Sequence, residues 1–422
     1  MSKVILTYNN PSSRMSYALK IIFKVCLGVD CKIESVEGDG SSYTISSGDK
    51  SVSCPVHPIS LSQDEIAKSS GVKWTELSGI HYPCEVLGTT DILFDPLAAV
   101  VYLACGWDET FLDDVEFDKH GRAFCSNEEF YKNPVIENIA EFFAEKLELK
   151  RCSTYSFVPT IDVDVAYAFK GRGAIHSLLA SLRDLVLFRW STLRDRVSTV
   201  FSNSPDPYDT YEWIDGVHKL HGLNTTAFFL HAPFIRPYDV GLPKKVVSKI
   251  MDGLSDKWSV NWHPSYSAIS SLNNGSHDGF EQEKNDFPYE VKKVRAHFLR
   301  MSPLNWSRLS QMGVEHDYSM GFAGNLQSFK TGLCRPYPAY DLKSDKELSL
   351  TIHPVSVMDS TLKSYSSLST QQAISEVKSI NDTVRRFNGT MYTIWHNTSV
   401  SDYGEWKGWR EVYEKVIEIC SD

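Results

Sequence analysis

The sequence predicts an α/β protein in which a smaller α/β domain precedes a larger domain of the (β/α) barrel type. Three observations indicate this. The chain has 422 residues, which suits two or three domains at roughly 150 residues each. From Phe157 onward, short apolar runs alternate with longer amphipathic stretches, the pattern of parallel strands joined by crossover helices. Most of those runs also end in ionisable residues.

The composition narrows the range of functions. A formal charge of −10 disfavours a nucleic-acid surface, so we expect small or neutral partners. The longest apolar stretch, PLAAVVYLAC at 96–105, is about half the ~20 residues of a membrane span and is typical of a buried helix. The first residues lack the apolar core of a signal peptide, and nine cysteines occur without CxxC pairs. We therefore expect a cytoplasmic protein without a membrane span and with reduced thiols.

Residues 1–150 are predicted to form the first domain. The runs VILTY, SYTIS and SVSCPV read as strands, and SSRMSYALKIIFKVC reads as a helix. Further helices are predicted at 95–105 and 133–147. The polar connector ELKRCSTYS sets the boundary near residue 150. Such a domain could shape a cleft wall, dock a partner enzyme or mediate self-association into a homo-oligomer.

Residues 151–422 are predicted to form the second domain. Its strand-like runs are FVPTIDVDV, TTAFFL, WSVNWH, KVRAHFL, LSLTIH and MYTIWH, and helical patterns fall between them. This length suits one (β/α) barrel or a distorted relative. A doubly wound open sheet is the alternative, because periodicity does not determine closure. The helical stretch 174–200 has a broad apolar face, for which we expect core packing rather than a cover over the cleft or an interface.

Polar residues follow the ends of the predicted strands. In parallel α/β folds the ligand site gathers at the carboxyl ends of the strands. The residues at these ends are Asp162, Asp164, His263, Arg295, His297, His353 and His396.

Asp162 and Asp164 lie on one face of a strand, because alternate strand residues share a face. Two such carboxylates repel each other when both are ionised, and a cation relieves the repulsion. One carboxylate could ligate a metal while the other acts as a base on water. Histidine and carboxylate ligands suit zinc and other first-row divalent ions, so the ligand types do not identify the metal.

Each of these residues also has a structural interpretation. The two aspartates could cap a helix or bind a loop. His263 and His353 could be core histidines before a turn, since proline follows each of them, and His396 could donate to a backbone carbonyl. Aromatic residues near strand ends could be platforms for sugar rings or could simply pack in the core.

Six motifs occur in a fixed order along the chain: TIDVD, HPSYS, RAHFLR, EHDYSMGF, IHPVSVMD and IWHN. This ordered set resembles the polysaccharide deacetylase superfamily, carbohydrate esterase family 4, with the NodB-homology fold. The segments FDPLAAVVYLACGWDE, DKHGRAFCSNEEF and PVIENIAEFF resemble the N-terminal domain of unknown function of a bacterial branch. The resemblance covers nearly the whole chain.

The resemblance implies a distorted (β/α) barrel that removes acetyl groups from amino sugars of polysaccharides by metal-assisted hydrolysis. It implies that Asp162 is the catalytic base and that Asp164 and His263 bind the metal. Arg295 would orient the base, with Asp317 in support. His396 would be the general acid. Candidate substrate contacts near these motifs are Tyr167, Tyr266, His353 and Trp395.

One position departs from the family pattern. The second motif of the family has another histidine four residues after the first, and Ser267 stands there. His297, where the family has proline, could supply the third ligand. Alternatively, the domain binds glycans without metal or catalysis, or hydrolyses a small non-sugar amide. A cytoplasmic deacetylase would act on a nucleotide- or lipid-linked precursor sugar of a surface polysaccharide.

Overall fold

The structure, a computed structural model, describes residues 3–37, 40–88, 90–113, 115–123, 128–202, 204–324 and 329–422. Part of the segment DKHGRAFCSNEEF, residues 124–127, lies outside these ranges. The chain forms two compact units. The first unit contains residues 1–156, 299–356 and 382–391, and the second contains 157–298, 357–381 and 392–422.

The first 156 residues contain six strands and five α-helices within the described ranges. The strands are β1 (Val4–Tyr8), β2 (Cys31–Ser35), β3 (Ser42–Ser47), β4 (Lys50–Pro55), β5 (Trp74–Leu77) and β6 (Ile80–Pro83). The helices are α1 (Ser13–Leu19), α2 (Asp64–Ser70), α3 (Pro96–Ala104), α4 (Trp107–Phe111) and α5 (Val135–Lys146).

Residues 156–298 contain the next ten elements of the described chain. The strands are β7 (Ser156–Val163), β8 (Thr226–Phe229), β9 (Ser259–Trp262) and β10 (Lys293–Val294). The helices are α6 (Ala174–Val186), α7 (Trp190–Phe201), α8 (Tyr211–Leu220), α9 (Lys244–Leu254), α10 (Tyr266–Asn273) and α11 (Asp278–Asp286).

The remaining elements lie between residue 299 and the C-terminus. The strands are β11 (His316–Asp317), β12 (Tyr337–Asp341), β13 (Lys346–Ile352), β14 (Val357–Met358) and β15 (Thr390–His396). The helices are α12 (Trp306–Gln311), α13 (Thr370–Arg386) and α14 (Trp409–Ser421).

The first unit is mixed α/β. Its four-stranded sheet has the order β2-β1-β3-β4, in which β1 pairs parallel with β2 and antiparallel with β3. The helix predicted at 12–26 is confirmed as α1, followed by a π-helical segment, Lys20–Leu27. β5 pairs with β6, and β13 pairs antiparallel with β12 and parallel with β11.

The helix predicted at 95–105 is confirmed, and its residues explain both its start and its burial. Asp95 caps the helix by accepting from the backbone N–H groups of Leu97 and Ala98, and Pro96 occupies the first turn, where its missing N–H costs nothing. Every residue of α3 is buried. The stretch that is too short for a membrane span is therefore a core helix.

The second unit is built on parallel strands in the order β10-β9-β8-β7-β15-β14. The pairings of β7 with β8, β8 with β9, β9 with β10 and β14 with β15 are all parallel. β8 is buried throughout, as expected of a parallel strand covered on both faces. Within the described residues, no pairing joins β10 to β14, so this sheet is open there.

The run KVRAHFL is strand for only two residues. Phe298 and Leu299 have φ angles of 61° and 55°, which a β-strand cannot accommodate. A tight turn over His297–Leu299 follows instead. The chain therefore turns out of the sheet immediately after Arg295.

The expectation of core packing for 174–200 is wrong. The segment is two helices, α6 and α7, and its buried positions include Ser177, Asp184 and Arg196 rather than the leucines. Leu178 and Leu179 are each 62% exposed and Phe188 is 76% exposed. The buried side of the two helices contains the Asp184–Arg196 ion pair, with an N–O distance of 2.6 Å. The apolar face is therefore on the opposite, exposed side.

No helix in the described part of the chain combines the length and the apolar character needed to cross a bilayer.

Candidate metal centre

Asp162 and Asp164 lie at the carboxyl end of β7, as the sequence predicts. Asp162 is buried, and its Oδ1 accepts from Nη1 of Arg295 at 2.7 Å. The same nitrogen donates to Oγ1 of Thr160 at 2.7 Å, and the guanidinium lies 4.5 Å from the ring centre of Phe228. These contacts hold Asp162 in one orientation.

His263 is placed by the junction between a strand and a helix. It directly follows β9, Pro264 ends the strand, and Ser265 caps α10 by accepting from the N–H of Ala268. The Nδ1 of His263 donates to the carbonyl oxygen of Arg295 at 2.5 Å. Its Nε2 lies 3.1 Å from Oδ1 of Asp164.

His297 approaches Asp164 from the turn after β10. Its Nε2 lies 3.4 Å from Oδ2 of Asp164, and its Nδ1 lies 3.4 Å from Oδ1 of Asp239. The rings of His263 and His297 are 5.1 Å apart. The structure thus brings together Asp164, His263 and His297, which we call the triad, with one ligand atom of each within 4.8 Å of the others.

The triad fits a divalent metal ion. Both histidines direct Nδ1 to an oxygen acceptor, an arrangement that fixes metal-ligating histidines and leaves the Nε2 lone pair for the metal. Oδ1 of Asp164 is buried and accepts no hydrogen bond within the described residues. Two imidazoles and one carboxylate are the ligand types of catalytic zinc sites and of other first-row divalent ions.

The charges of the triad are strongly coupled. Burial opposes ionisation of Asp164, but His297, His263 and His396 outweigh it and hold the pKa of Asp164 well below its usual value. Burial also opposes protonation of His297, yet Asp164 and Asp239 raise the pKa of His297 to about 9. The site is therefore arranged to keep a cation next to Asp164.

Asp239 is a component of the site that the sequence analysis missed. It is buried, and besides facing His297 it accepts from Oγ of Ser267 at 2.8 Å and from the N–H groups of Tyr266 and Ser267 at 2.8 and 3.0 Å. Ser267 therefore serves Asp239. No motif or spacing marks Asp239, which reaches the site from the loop after β8.

His396 ends β15 and is held by Asp359. Its Nδ1 lies 2.8 Å from Oδ1 of Asp359, and its backbone N–H donates to Oδ2 at 2.7 Å. Its Nε2 lies 3.6 Å from Oδ2 of Asp164. Burial opposes protonation, but Asp359 and then Asp164 and Asp162 raise the pKa of His396 to about 10. Asp359 is the last residue of the motif IHPVSVMD, so a signal for it was present.

The predicted aromatic contacts divide into two kinds. Tyr266 is half-buried and stacks on Tyr238 at 4.1 Å between ring centres. Tyr167 is half-buried, with its ring edge-on to Tyr211. Trp395 is 0% exposed and packs against Tyr413 at 4.9 Å, so it belongs to the core and offers no face to a substrate.

Asp317 and His353 belong to the first unit. Asp317 accepts from the N–H of Ser319 at 2.9 Å and from Nε1 of Trp306 at 3.2 Å. The ring of His353 stacks on Tyr318 with centres 4.0 Å apart.

Comparison with known proteins gives a family match and several structural likenesses. Residues 4–151 match the model of a family of unknown function, DUF7033, so the chain has an N-terminal domain of that family. No curated protein matches the chain.

Two solved structures are similar to this chain at low identity. One is described as a "putative polysaccharide deacetylase from Mycobacterium smegmatis", with a TM-score of 0.41, 15% identity, and 64% of this chain and 84% of that chain covered. The other is described as a "putative polysaccharide deacetylase involved in O-antigen biosynthesis" from Bordetella bronchiseptica, with a TM-score of 0.31, 13% identity, and coverage of 63% and 82%.

Proposed function

We propose that this protein is a metal-dependent deacetylase that removes N-acetyl or O-acetyl groups from a glycan or a glycan precursor. The observation that carries the proposal is the triad, whose two histidines are buried and both have Nδ1 bound to an oxygen acceptor. The ordered motifs, from TIDVD to IWHN, imply the same chemistry. We assign the activity to residues 151–422, as a distorted relative of the (β/α) barrel, and regard 1–150 as an accessory domain.

Asp164, His263 and His297 would hold the ion, for which zinc is our first candidate. A divalent ion bound there supplies a Lewis acid for the acyl carbonyl and lowers the pKa of a bound water.

Asp162 is suited to act as the base. Its carboxylate lies beside the triad, with Oδ2 4.0 Å from Nε2 of His263, and its Oδ1 is paired with Nη1 of Arg295 at 2.7 Å. Because Oδ1 is occupied by Arg295, Oδ2 is the oxygen that takes the proton of the attacking water. Arg295 is a positioning residue in this scheme, since it acts through Asp162. We also assign Asp317 a role in support of the base.

His396 is suited to act as the acid. Asp359 accepts at Nδ1, so the proton on Nε2 is the one that faces Asp164 and the reacting group. A pKa of about 10 keeps the imidazole protonated at neutral pH. The imidazolium can then give its proton to the leaving amine or alcohol, while Asp359 stabilises its charge.

Tyr167 and Tyr266 are our candidates for contacts with a sugar ring, because both are half-buried in the second unit. Each offers an aromatic face and a hydroxyl group. We also propose His353 as a substrate contact.

Ser267 was the reason to consider a glycan-binding protein without a metal. Ser267 donates a hydrogen bond to Asp239, which in turn faces His297. This supporting role favours a metal-dependent enzyme over a glycan-binding protein without a metal. A hydrolase of a small non-sugar amide would use the same residues, and only substrate tests separate it from a glycan deacetylase.

We further propose that the protein acts in the cytoplasm of a bacterium, on a precursor of a surface polysaccharide. Residues 1–150 would then be available for a partner enzyme or for self-association.

Elemental analysis of the purified protein tests the proposal. We expect near-stoichiometric zinc or another divalent metal in the wild type and in Ser267→Ala, but loss of the metal in Asp164→Ala and His297→Ala. Acetate release from chitin oligosaccharides should follow the metal content. Ser267→Ala removes one of the hydrogen bonds to Asp239 but leaves all three triad ligands in place, so comparison with it separates the loss of a ligand from the loss of a supporting contact.

Two results would contradict the proposal. The first is a wild type that holds no metal after soaking in excess zinc. The second is a metal that stays in Asp164→Ala and His297→Ala while these variants keep the wild-type circular dichroism spectrum.

A further inference from the structure

A basic groove of about 750 Å³ lies in the second unit. We call it the arginine groove, because Arg172, Arg183, Arg196 and Arg236 line it. Its apolar lining includes Leu179 and Phe234. In a chain of formal charge −10, four guanidinium groups around one space are a strong local departure from the average.

Two residues that line the arginine groove follow residues of the metal centre in the chain. Val165 directly follows Asp164, and Val240 directly follows Asp239. The backbone that carries both carboxylates thus continues directly into the lining of the groove, so one extended substrate could contact both.

The positive charge of the groove is only partly compensated. Arg172 donates to the backbone carbonyl oxygens of Ala168 and Tyr167, and the guanidinium of Arg236 lies 5.8 Å from the ring centre of Phe234. Within the described residues, neither Arg172 nor Arg236 has a carboxylate at salt-bridge distance.

Asp184 is the carboxylate that the other two arginines contact. Arg196 donates to it at 2.6 Å, while Arg183 is 3.8 Å away with a side chain that is 60% exposed. Nε of Arg196 is buried and has no hydrogen-bond acceptor within the described residues. A bound anion could provide that acceptor.

His176 reports the same potential. Burial and then Arg172, Arg196, Arg183 and Arg236 all lower its pKa. The cationic neighbours thus add to the effect of burial on this pKa.

We propose that the arginine groove binds the phosphate groups of a substrate in which a diphosphate links the sugar to a carrier. Guanidinium groups match phosphate oxygens in bidentate geometry, and several of them around one space suit two phosphates better than one carboxylate. Leu179 and Phe234 would contact the group on the far side of the phosphates. This inference rests on the proposed function and names the substrate class of that site.

Calorimetric titration with inorganic pyrophosphate, in the presence of EDTA, tests the groove without any contribution from a metal. We expect wild type to bind pyrophosphate, and Arg172→Gln/Arg236→Gln to bind it at least about tenfold more weakly for each guanidinium removed. The matched control is Arg194→Gln, an exposed arginine of α7 outside the groove, which should bind like wild type.

A second titration uses UDP-N-acetylglucosamine and N-acetylglucosamine. The nucleotide sugar should bind more tightly than the free sugar to wild type, and the double variant should remove that difference. Vesicles of phosphatidylglycerol and phosphatidylcholine test whether lipid phosphate is the source instead. Vesicle binding that depends on Arg172 and Arg236, without binding of the nucleotide sugar, would overturn the assignment to a sugar diphosphate and would indicate a site for membrane lipid phosphate.

Failure of this inference is separate from failure of the proposed function. The proposed phosphate site is wrong if wild type and the folded double variant bind pyrophosphate equally, or if neither binds it. This holds even if metal content and acetate release are normal. Conversely, a protein without metal or acetate release that binds pyrophosphate through Arg172 and Arg236 overturns the deacetylase and leaves a phosphate site. Asp164→Ala should lose its metal and still bind pyrophosphate.

Discussion

Two buried clusters of charged side chains, one in each compact unit, differ in how their polar atoms are satisfied. In the first unit, Glu137 is 0% exposed and its two oxygens accept from Nε and Nη2 of Arg335 at 2.6 and 3.0 Å. Arg151 donates to Glu137 at 3.1 Å and to the backbone carbonyl oxygens of Cys26 and Phe387. Arg335 also donates to Phe387 at 2.6 Å. We call these three side chains the Glu137 network.

In the second unit, the triad brings three side chains to one point without such saturation. Oδ1 of Asp164 accepts no hydrogen bond within the described residues, and the Nε2 atoms of His263 and His297 face it. The hydrogen bonds of the triad histidines are made at Nδ1, behind the point where they converge.

This difference gives a criterion for distinguishing a structural cluster of charges from a ligand-binding site. Burying charges is costly, so a purely structural network is expected to use all of its donors and acceptors. A cluster whose ligand atoms face one another without hydrogen bonds is expected to bind an ion or another ligand between them. This contrast, rather than burial or charge alone, distinguishes the two.

Asp162→Asn should have the largest effect if the triad is a catalytic centre. The amide cannot take a proton from water, so acetate release should fall by about 10²–10⁴-fold. Metal content should stay at the wild-type value, because Asp162 is not one of the triad ligands. Initial rates on chitin oligosaccharides and elemental analysis check both points. Full activity in this variant would remove the base from the proposal and weaken the contrast between the clusters.

Glu137→Gln should chiefly affect stability. It leaves the buried Arg335 and the half-buried Arg151 without a counter-charge, which should lower the free energy of unfolding by about 3–5 kcal/mol. Metal content per folded molecule should not change. Urea unfolding followed by circular dichroism measures the first quantity, and elemental analysis of the folded fraction measures the second. Loss of metal without loss of stability would show that the Glu137 network is not merely structural.

The same contrast holds for single histidines and predicts a smaller, pH-dependent effect. His218 is buried with its ring nitrogens bonded to Thr225 and Tyr413, and burial lowers its pKa to about 4. The folded-state pKa lies below that of the unfolded chain, so the contribution of this group is complete above pH 6.5 and is lost as pH falls towards about 4. His396, with a pKa of about 10, has the opposite sign: its contribution is complete below pH 6.5 and is lost as pH rises towards 10.

Urea unfolding of wild type and His218→Gln at pH 7.5 and 5.5 tests this prediction. Between these two values the wild type should lose about 1 kcal/mol more than the variant, since one pH unit corresponds to about 1.4 kcal/mol for one proton. Equal losses in the two proteins would mean that His218 does not titrate out of the core.

Much of the fold could be predicted from periodicity. The helices α3 and α5 and the strands β7, β8, β9 and β15 follow from apolar patterns that are local in the chain. The two-residue strand β10 and the outward apolar face of α6 could not be predicted in this way. In the first case, positive φ angles end the strand, and in the second, the buried partner is an ion pair.

For the site, sequence reasoning found the residues at strand ends but not the residues that hold them. Asp162, Asp164, His263, His297 and His396 were all candidates, because each stands at or just beyond an apolar run. Asp239 was missed, since a loop carboxylate has no periodic signal. Trp395 was misplaced, since an aromatic residue beside a strand end can face either the core or the ligand.

The α/β class, the parallel strands and the ionisable residues at their ends can be predicted from the sequence, because they depend on patterns within a few residues. The three-dimensional structure is needed to show that Asp164, His263 and His297 converge, that Ser267 supports Asp239, and that four arginines surround one groove. These are contacts between residues that are far apart in the chain. They depend on distances and directions between elements, and local pattern carries no information about either.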